Sequence, residues 1–190
     1  TVGAGTVNVL RRNQVEISRR AGREIRIRSA AVRDLKVPRD CVVDDLTLSS
    51  NPFDVTDDPE ISLVVELVGG CHIAKEVVLR SLQQGKHVVT ANKALIALHG
   101  NDIFQAAHER GLMIAFEAAV AGGISIIKVI REGLSGNRID RIVGIINGTS
   151  NYILTLMLEE PYSFESALQE AQRKGFAETD PSLAATGHDA

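Results

Sequence analysis

Lys93 is the residue of this chain best placed to do chemistry. Val88-Val89-Thr90 is a β-branched run that reads as a buried strand ending at Asn92-Lys93, and apolar residues resume at Ala94-Leu95-Ile96. A lysine at the carboxyl end of a strand in an α/β sheet points into the crevice where ligands bind. There its ammonium can meet a phosphate, a carboxylate or a reacting oxygen. Two further segments are as distinctive: Asn147-Gly-Thr-Ser-Asn-Tyr152 and Gly175-Phe-Ala-Glu-Thr-Asp-Pro181.

A second chemical signal opens the chain. Gly3-Ala4-Gly5-Thr6-Val7-Asn8 fits the first positions of a glycine-rich dinucleotide loop, with Thr1-Val2-Gly3 as the tail of a first strand that starts upstream. In such a loop Gly3 permits the tight turn. Gly5, with Thr6 and Val7 after it, lets a pyrophosphate approach the backbone at a helix N-terminus. Asn8 then stands at the third glycine position, where a side chain crowds the helix–strand contact unless it points outward. Arg33-Asp34 ends the second strand. An acidic residue there accepts from a ribose 2′-hydroxyl, while an arginine favours a 2′-phosphate. NAD and NADP both stay open, and Lys36 and Arg39 near Arg33 tilt the balance toward NADP.

The elements that must position these residues alternate strand and helix. Residues 6–21 carry Val7, Leu10, Val15 and Ile17 in an imperfect helical stripe. Glu24 to Ser29 alternates with period two and turns apolar at Ala30-Ala31-Val32, which predicts a strand ending near Arg33. Residues 35–60, with Pro38, Pro52 and Pro59, read as loop with at most a short helix. Ser62 to Val68 is a strand closed by Gly69-Gly70, and Ile73 to Gln84 a helix closed by Gly85. A strand over 86–91, a helix over about 101–110 and a strand over 112–117 follow. This alternation argues a Rossmann-like, doubly wound parallel sheet over residues 1–120. Residues 121–190 read as the beginning of an α+β catalytic or dimerisation domain. It has helices over Ile124 to Leu134, Thr149 to Glu159 and Ser163 to Lys174, and a strand over Arg138 to Ile146.

The bulk numbers fit that picture. The 190 residues are 44% hydrophobic and 24% charged, with a formal net charge of -3, so the chain has ample core and no nucleic-acid footprint. Cys41 and Cys71 have no zinc or disulfide pattern. No apolar run approaches the roughly 18 residues a membrane span needs, and no stretch reads as a secretory leader.

Taken together, the motifs resemble those of the homoserine dehydrogenase family. The resemblance rests on Val65-Glu-Leu-Val-Gly-Gly70, Gly85-Lys-His-Val-Val-Thr-Ala-Asn-Lys-Ala-Leu95, Phe116-Glu-Ala-Ala-Val-Ala-Gly-Gly-Ile124, Gly144-Ile-Ile-Asn-Gly-Thr-Ser-Asn-Tyr-Ile-Leu154 and Gly175 to Pro181. It implies interconversion of L-homoserine and L-aspartate 4-semialdehyde with NAD or NADP. That is a cytoplasmic branch-point step of threonine, methionine and isoleucine synthesis, carried out by a homodimer or homotetramer.

The resemblance also implies roles for residues. Lys93 would lie beside nicotinamide and substrate, and Thr90 would be a further cofactor-binding residue. Glu178 would bind substrate and Asp189 would lie close to the reacting hydroxyl. Gly148 and Thr149 would line the pocket, Thr149-Ser150 also capping the helix that follows. The carboxylate of Glu117 and the carbonyls of Val120, Gly122 and Ile124 would hold sodium. Several positions depart from the family pattern. Besides Asn8, Ser125 replaces a common proline, and Ala184 replaces an aspartate that contacts the substrate ammonium. The family's second catalytic lysine falls four residues after Asp189. The sequence therefore reads as the N-terminal part of such an enzyme, inactive by itself, with a non-catalytic nucleotide-binding or dimerising remnant as the alternative. A different Rossmann oxidoreductase acting on a small amino acid fits the Asn147 and Gly175 segments less well.

Overall fold

The first described element is a helix. The computed structural model describes residues 2–145, 147–159 and 161–177, and α1 (Val2–Arg12) already contains Gly3 and Gly5. The strand tail and glycine turn expected around Val2-Gly3 are thus corrected. Neither glycine takes a left-handed φ, and the Thr6 hydroxyl donates to Val2 O at 3.0 Å along the helix. The helical stripe breaks at Asn13, and α2 (Gln14–Ala21) ends at Gly22, whose φ of 68° closes the helix.

The alternating segment expected as a strand from Glu24 pairs only over β1 (Ser29–Ala31). Before it, Arg26 pairs with Glu24, and Arg28 with Asp58 at 2.7 Å, so alternation there separates solvated charges. Its partner is β2 (Thr47–Ser49), parallel and in register from Ser29–Thr47 to Ala31–Ser49. Residues 35–60 therefore hold a strand that their prolines and charges conceal, as well as the short helix α3 (Phe53–Asp57).

The main sheet is parallel, in the order β3 (Leu63–Glu66), β4 (His87–Thr90), β5 (Ile114–Ala115). α4 (His72–Gln83) and α5 (Lys93–Glu109) make the two crossovers. Their apolar faces meet the sheet in one core of Ala74, Val78, Leu82, Val88, Leu95, Ile103, Ala107 and Ile114. α5 starts eight residues earlier than its apolar period suggests. The Asn92 side chain accepts from Leu95 N–H at 3.0 Å and caps it. Past β5 come a 3₁₀ turn (Glu117–Ala119), the short α6 (Ile126–Lys128) and a π-helical turn (Val129–Gly133) in place of one continuous helix.

Residues 1–134 form one compact unit and 135–190 a second. In the second, no strand forms among the described residues of the 138–146 segment. Val143 and Ile145 are exposed there, and β-branched content without a pairing partner does not make a sheet. α7 (Gly148–Glu159) and α8 (Phe164–Arg173) pack through Ile153, Ala167 and Ala171. On α8 the Arg173 guanidinium, with Lys174 beyond it, draws the Glu170 carboxyl down to about 2. A depressed carboxyl stabilises the fold above its ordinary pKa, and that contribution is lost as pH falls through the folded value. Glu170→Gln is therefore expected to lower the urea midpoint at pH 7. Its difference from the parent should close between about pH 4.5 and pH 2; a gap unchanged over that window would contradict the pairing.

Candidate active site

The carboxyl ends of β3 and β4 carry the best-built polar site of the first unit. Glu66 ends β3 and is 1% exposed. Its carboxylate accepts from the Thr90 hydroxyl at 2.6 Å and from the Val68 N–H at 2.8 Å. Thr90, at the end of β4, is fully buried, and its oxygen accepts from Asn92 N–H at 3.1 Å. The Asn92 amide donates to Gly70 O at 2.6 Å. Gly69 and Gly70 take φ of 76° and 69°. Two consecutive left-handed residues are open to glycine at little cost, whereas other residues pay about 1–2 kcal/mol each.

The result is a rigid lip. Nothing lies within 4 Å of where a Cβ would stand on Gly69 or Gly70, so a flat ligand can reach that backbone. Lys93, exposed, is the first residue of α5 on the neighbouring loop. Lys93 thus stands three residues past the end of β4. The Thr90 hydroxyl serves Glu66 and Asn92.

The other expected nucleotide residues lie on α1 and after β1. Gly3, Gly5, Thr6 and Val7 occupy the opening turns of α1, whose first N–H groups are the kind that receive a phosphate. Arg33 is exposed two residues past β1. Asp34 is partly occupied, accepting from Lys36 N–H at 2.8 Å, while Arg39 donates to the carbonyls of Val37 and Asp34. Asn8 does not crowd a helix–strand contact. Its amide donates to Asp40 O at 2.8 Å, and Arg11 pairs with Asp45, so α1 holds the loop that carries Arg33 and Arg39.

Glu117 is engaged as well. Its oxygens accept from Ile127 N–H at 3.0 Å and Lys128 N–H at 2.8 Å, which caps α6. Between Glu117 and that helix, Ala121 stands at φ 47°, a strained conformation for a residue with a Cβ.

In the second unit the structure joins the two motif segments. Thr149 Oγ1 donates to Phe176 O at 2.5 Å, and the rings of Tyr152 and Phe176 lie 4.9 Å apart. The cap of α7 is Asn147, accepting from Ser150 N–H at 2.8 Å, not the Thr149-Ser150 pair. Gly175, at φ 77°, closes α8: Phe176 N–H reaches Ala171 O and Gly175 N–H reaches Gln172 O, the paired bonds of a Schellman turn. Gly148 is exposed at the start of α7. Glu178, Ala184 and Asp189 lie outside the described residues.

Glu66 and Asn92 lie within the quoted motifs, but their types and spacing assign them no role there. The available signals are a lone carboxylate in an apolar strand just before Gly69-Gly70, and an Asn one residue before a helical run.

A parallel sheet with βαβ crossovers and a polar lip at its carboxyl ends defines a Rossmann-like nucleotide-binding domain. Residues 1–117 match the family model described as homoserine dehydrogenase, NAD binding domain, and residues 125–190 match that of homoserine dehydrogenase. The chain belongs to the homoserine dehydrogenase family. The homoserine dehydrogenase of Pseudomonas aeruginosa is 54% identical over 190 residues, which are all of this chain and 43% of that protein. That of Bacillus subtilis is 42% identical over 190 residues, 44% of its length. Among solved structures, a homoserine dehydrogenase from Thiobacillus denitrificans superposes with a TM-score of 0.83 at 56% identity, covering 96% of this chain and 42% of that one. A hyperthermophilic archaeal homoserine dehydrogenase in complex with NADPH gives 0.65 at 27% identity, covering 92% and 49%. The chain thus spans less than half the length of these relatives.

Proposed function

We propose that the full-length protein interconverts L-homoserine and L-aspartate 4-semialdehyde with a nicotinamide cofactor, as a cytoplasmic homodimer or homotetramer serving threonine, methionine and isoleucine synthesis. The observation that carries this reading is Lys93 at the start of α5, beside the open Gly69–Gly70 backbone at the carboxyl ends of β3 and β4. A bound nicotinamide supplies the hydride acceptor or donor. The α1 N-terminus would receive the pyrophosphate. The Lys93 ammonium would meet the negative charge that develops on the substrate oxygen. Gly148 and Thr149 would line the substrate pocket, Glu178 would hold the substrate ammonium, and Asp189 would lie near the reacting hydroxyl. Glu117, with the carbonyls of Val120, Gly122 and Ile124, would hold a sodium ion, since a carboxylate that caps a helix keeps further lone pairs.

Arg33, exposed past β1 with Arg39 on the same tethered loop, supports NADP over NAD. Titrating the full-length protein with NADPH and NADH by fluorescence is expected to give the tighter dissociation constant for NADPH. A preference for NADH would overturn the role of Arg33. Failure of both at millimolar concentration would overturn the nucleotide site itself.

A further inference from the structure

We propose that Glu66 is a positioning residue for Lys93, acting through Thr90 and Asn92. The proposal rests on the reading of Lys93 given above.

Burying a carboxylate is costly unless it is paired or well hydrogen-bonded, and an apolar residue would fill the end of a strand more cheaply. Glu66 is 1% exposed. It is met by three donors: the Thr90 hydroxyl at 2.6 Å, Val68 N–H at 2.8 Å and Gly69 N–H at 3.4 Å. These donors come from both loops that border the crevice. On one side, the two N–H groups turn the chain into the left-handed pair Gly69–Gly70. On the other, Thr90 is fixed so that its oxygen accepts from Asn92 N–H at 3.1 Å. Asn92 closes the circuit, donating to Gly70 O at 2.6 Å and accepting from Leu95 N–H at 3.0 Å. Lys93 and Ala94 lie between those bonds, so the backbone of Lys93 is held by Asn92 before it and by Leu95 two residues after it, in a network whose centre is the Glu66 carboxylate. Glu66, 1% exposed, sets the place from which the Lys93 ammonium reaches the site. Displacing a reacting group by about 1 Å can cost around 100-fold in rate.

The test measures kcat and KM for NADP-dependent oxidation of L-homoserine by the full-length protein and its variants. Glu66→Ala is expected to lower kcat by roughly 100-fold while KM for homoserine moves by less than about threefold. Glu66→Gln keeps an acceptor for the Val68 and Gly69 N–H groups and can donate to Thr90 Oγ1, so it should regain at least about tenfold over Glu66→Ala. Thr90→Val breaks the same circuit without touching the carboxylate and serves where Glu66→Ala does not fold. The decisive arm is the cycle with Lys93→Met. A residue that acts through Lys93 adds less than about threefold to the loss already caused by Lys93→Met, whereas a merely structural residue multiplies it in full. Full multiplication, or folded Glu66→Ala with kcat within threefold of the parent, would overturn the proposal. A parent protein that binds NADPH yet leaves homoserine untouched would overturn the reading of the site, and the proposal with it.

Discussion

Lys93→Met in the full-length protein is expected to lower kcat for homoserine oxidation by roughly 100- to 1,000-fold, the usual loss when one well-placed stabiliser of an oxyanion is removed. Methionine preserves the length and apolar stem of the side chain and removes the charge. Lys93 is exposed and is the first residue of α5, outside the buried core of the unit. The loss should therefore appear in kcat, with the NADPH dissociation constant within about tenfold of the parent and the unfolding midpoint nearly unchanged. Unchanged kcat would remove Lys93 from the reaction.

Two residues further along the same turn, the consequence reverses. Leu95 is fully buried in the core between α4, α5 and the sheet. Leu95→Ala is expected to destabilise the protein by about 2–5 kcal/mol, from lost transfer energy and the cavity left behind. Urea unfolding of the full-length protein checks it. A loss below about 1 kcal/mol would mean that the α5 N-terminus is not held by the core, and that the capping bond of Asn92 alone fixes Lys93. The two substitutions separate the face of α5 that does chemistry from the face that holds it in place.

Much of this arrangement is legible in the residues themselves. β3, β4, α4, α7 and α8 follow from apolar runs closed by Gly, Pro or charge. What escapes the sequence is decided by partners. β2 is three residues long and exists because β1 lies beside it. The Ile- and Val-rich stretch near 138–145 has strand composition, and no ladder forms there among the described residues. Gly3 and Gly5 read as a turn, yet helical bonds claim them. Asn8 reads as an obstruction, yet its amide finds the Asp40 carbonyl 32 residues away. Glu66 lies within an apolar run, and only the folded loops reveal its three donors. Thr149, a natural helix cap by type, is drawn instead to Phe176, and Asn147 takes the cap.

The absorbance of NADPH formed at alkaline pH, when the full-length protein meets L-homoserine and NADP, decides whether the whole protein has the proposed activity. NADPH formation is expected to need both compounds and to fall by at least about 100-fold in Lys93→Met. A folded protein that binds NADPH but forms none from homoserine, with NAD as with NADP, would contradict it.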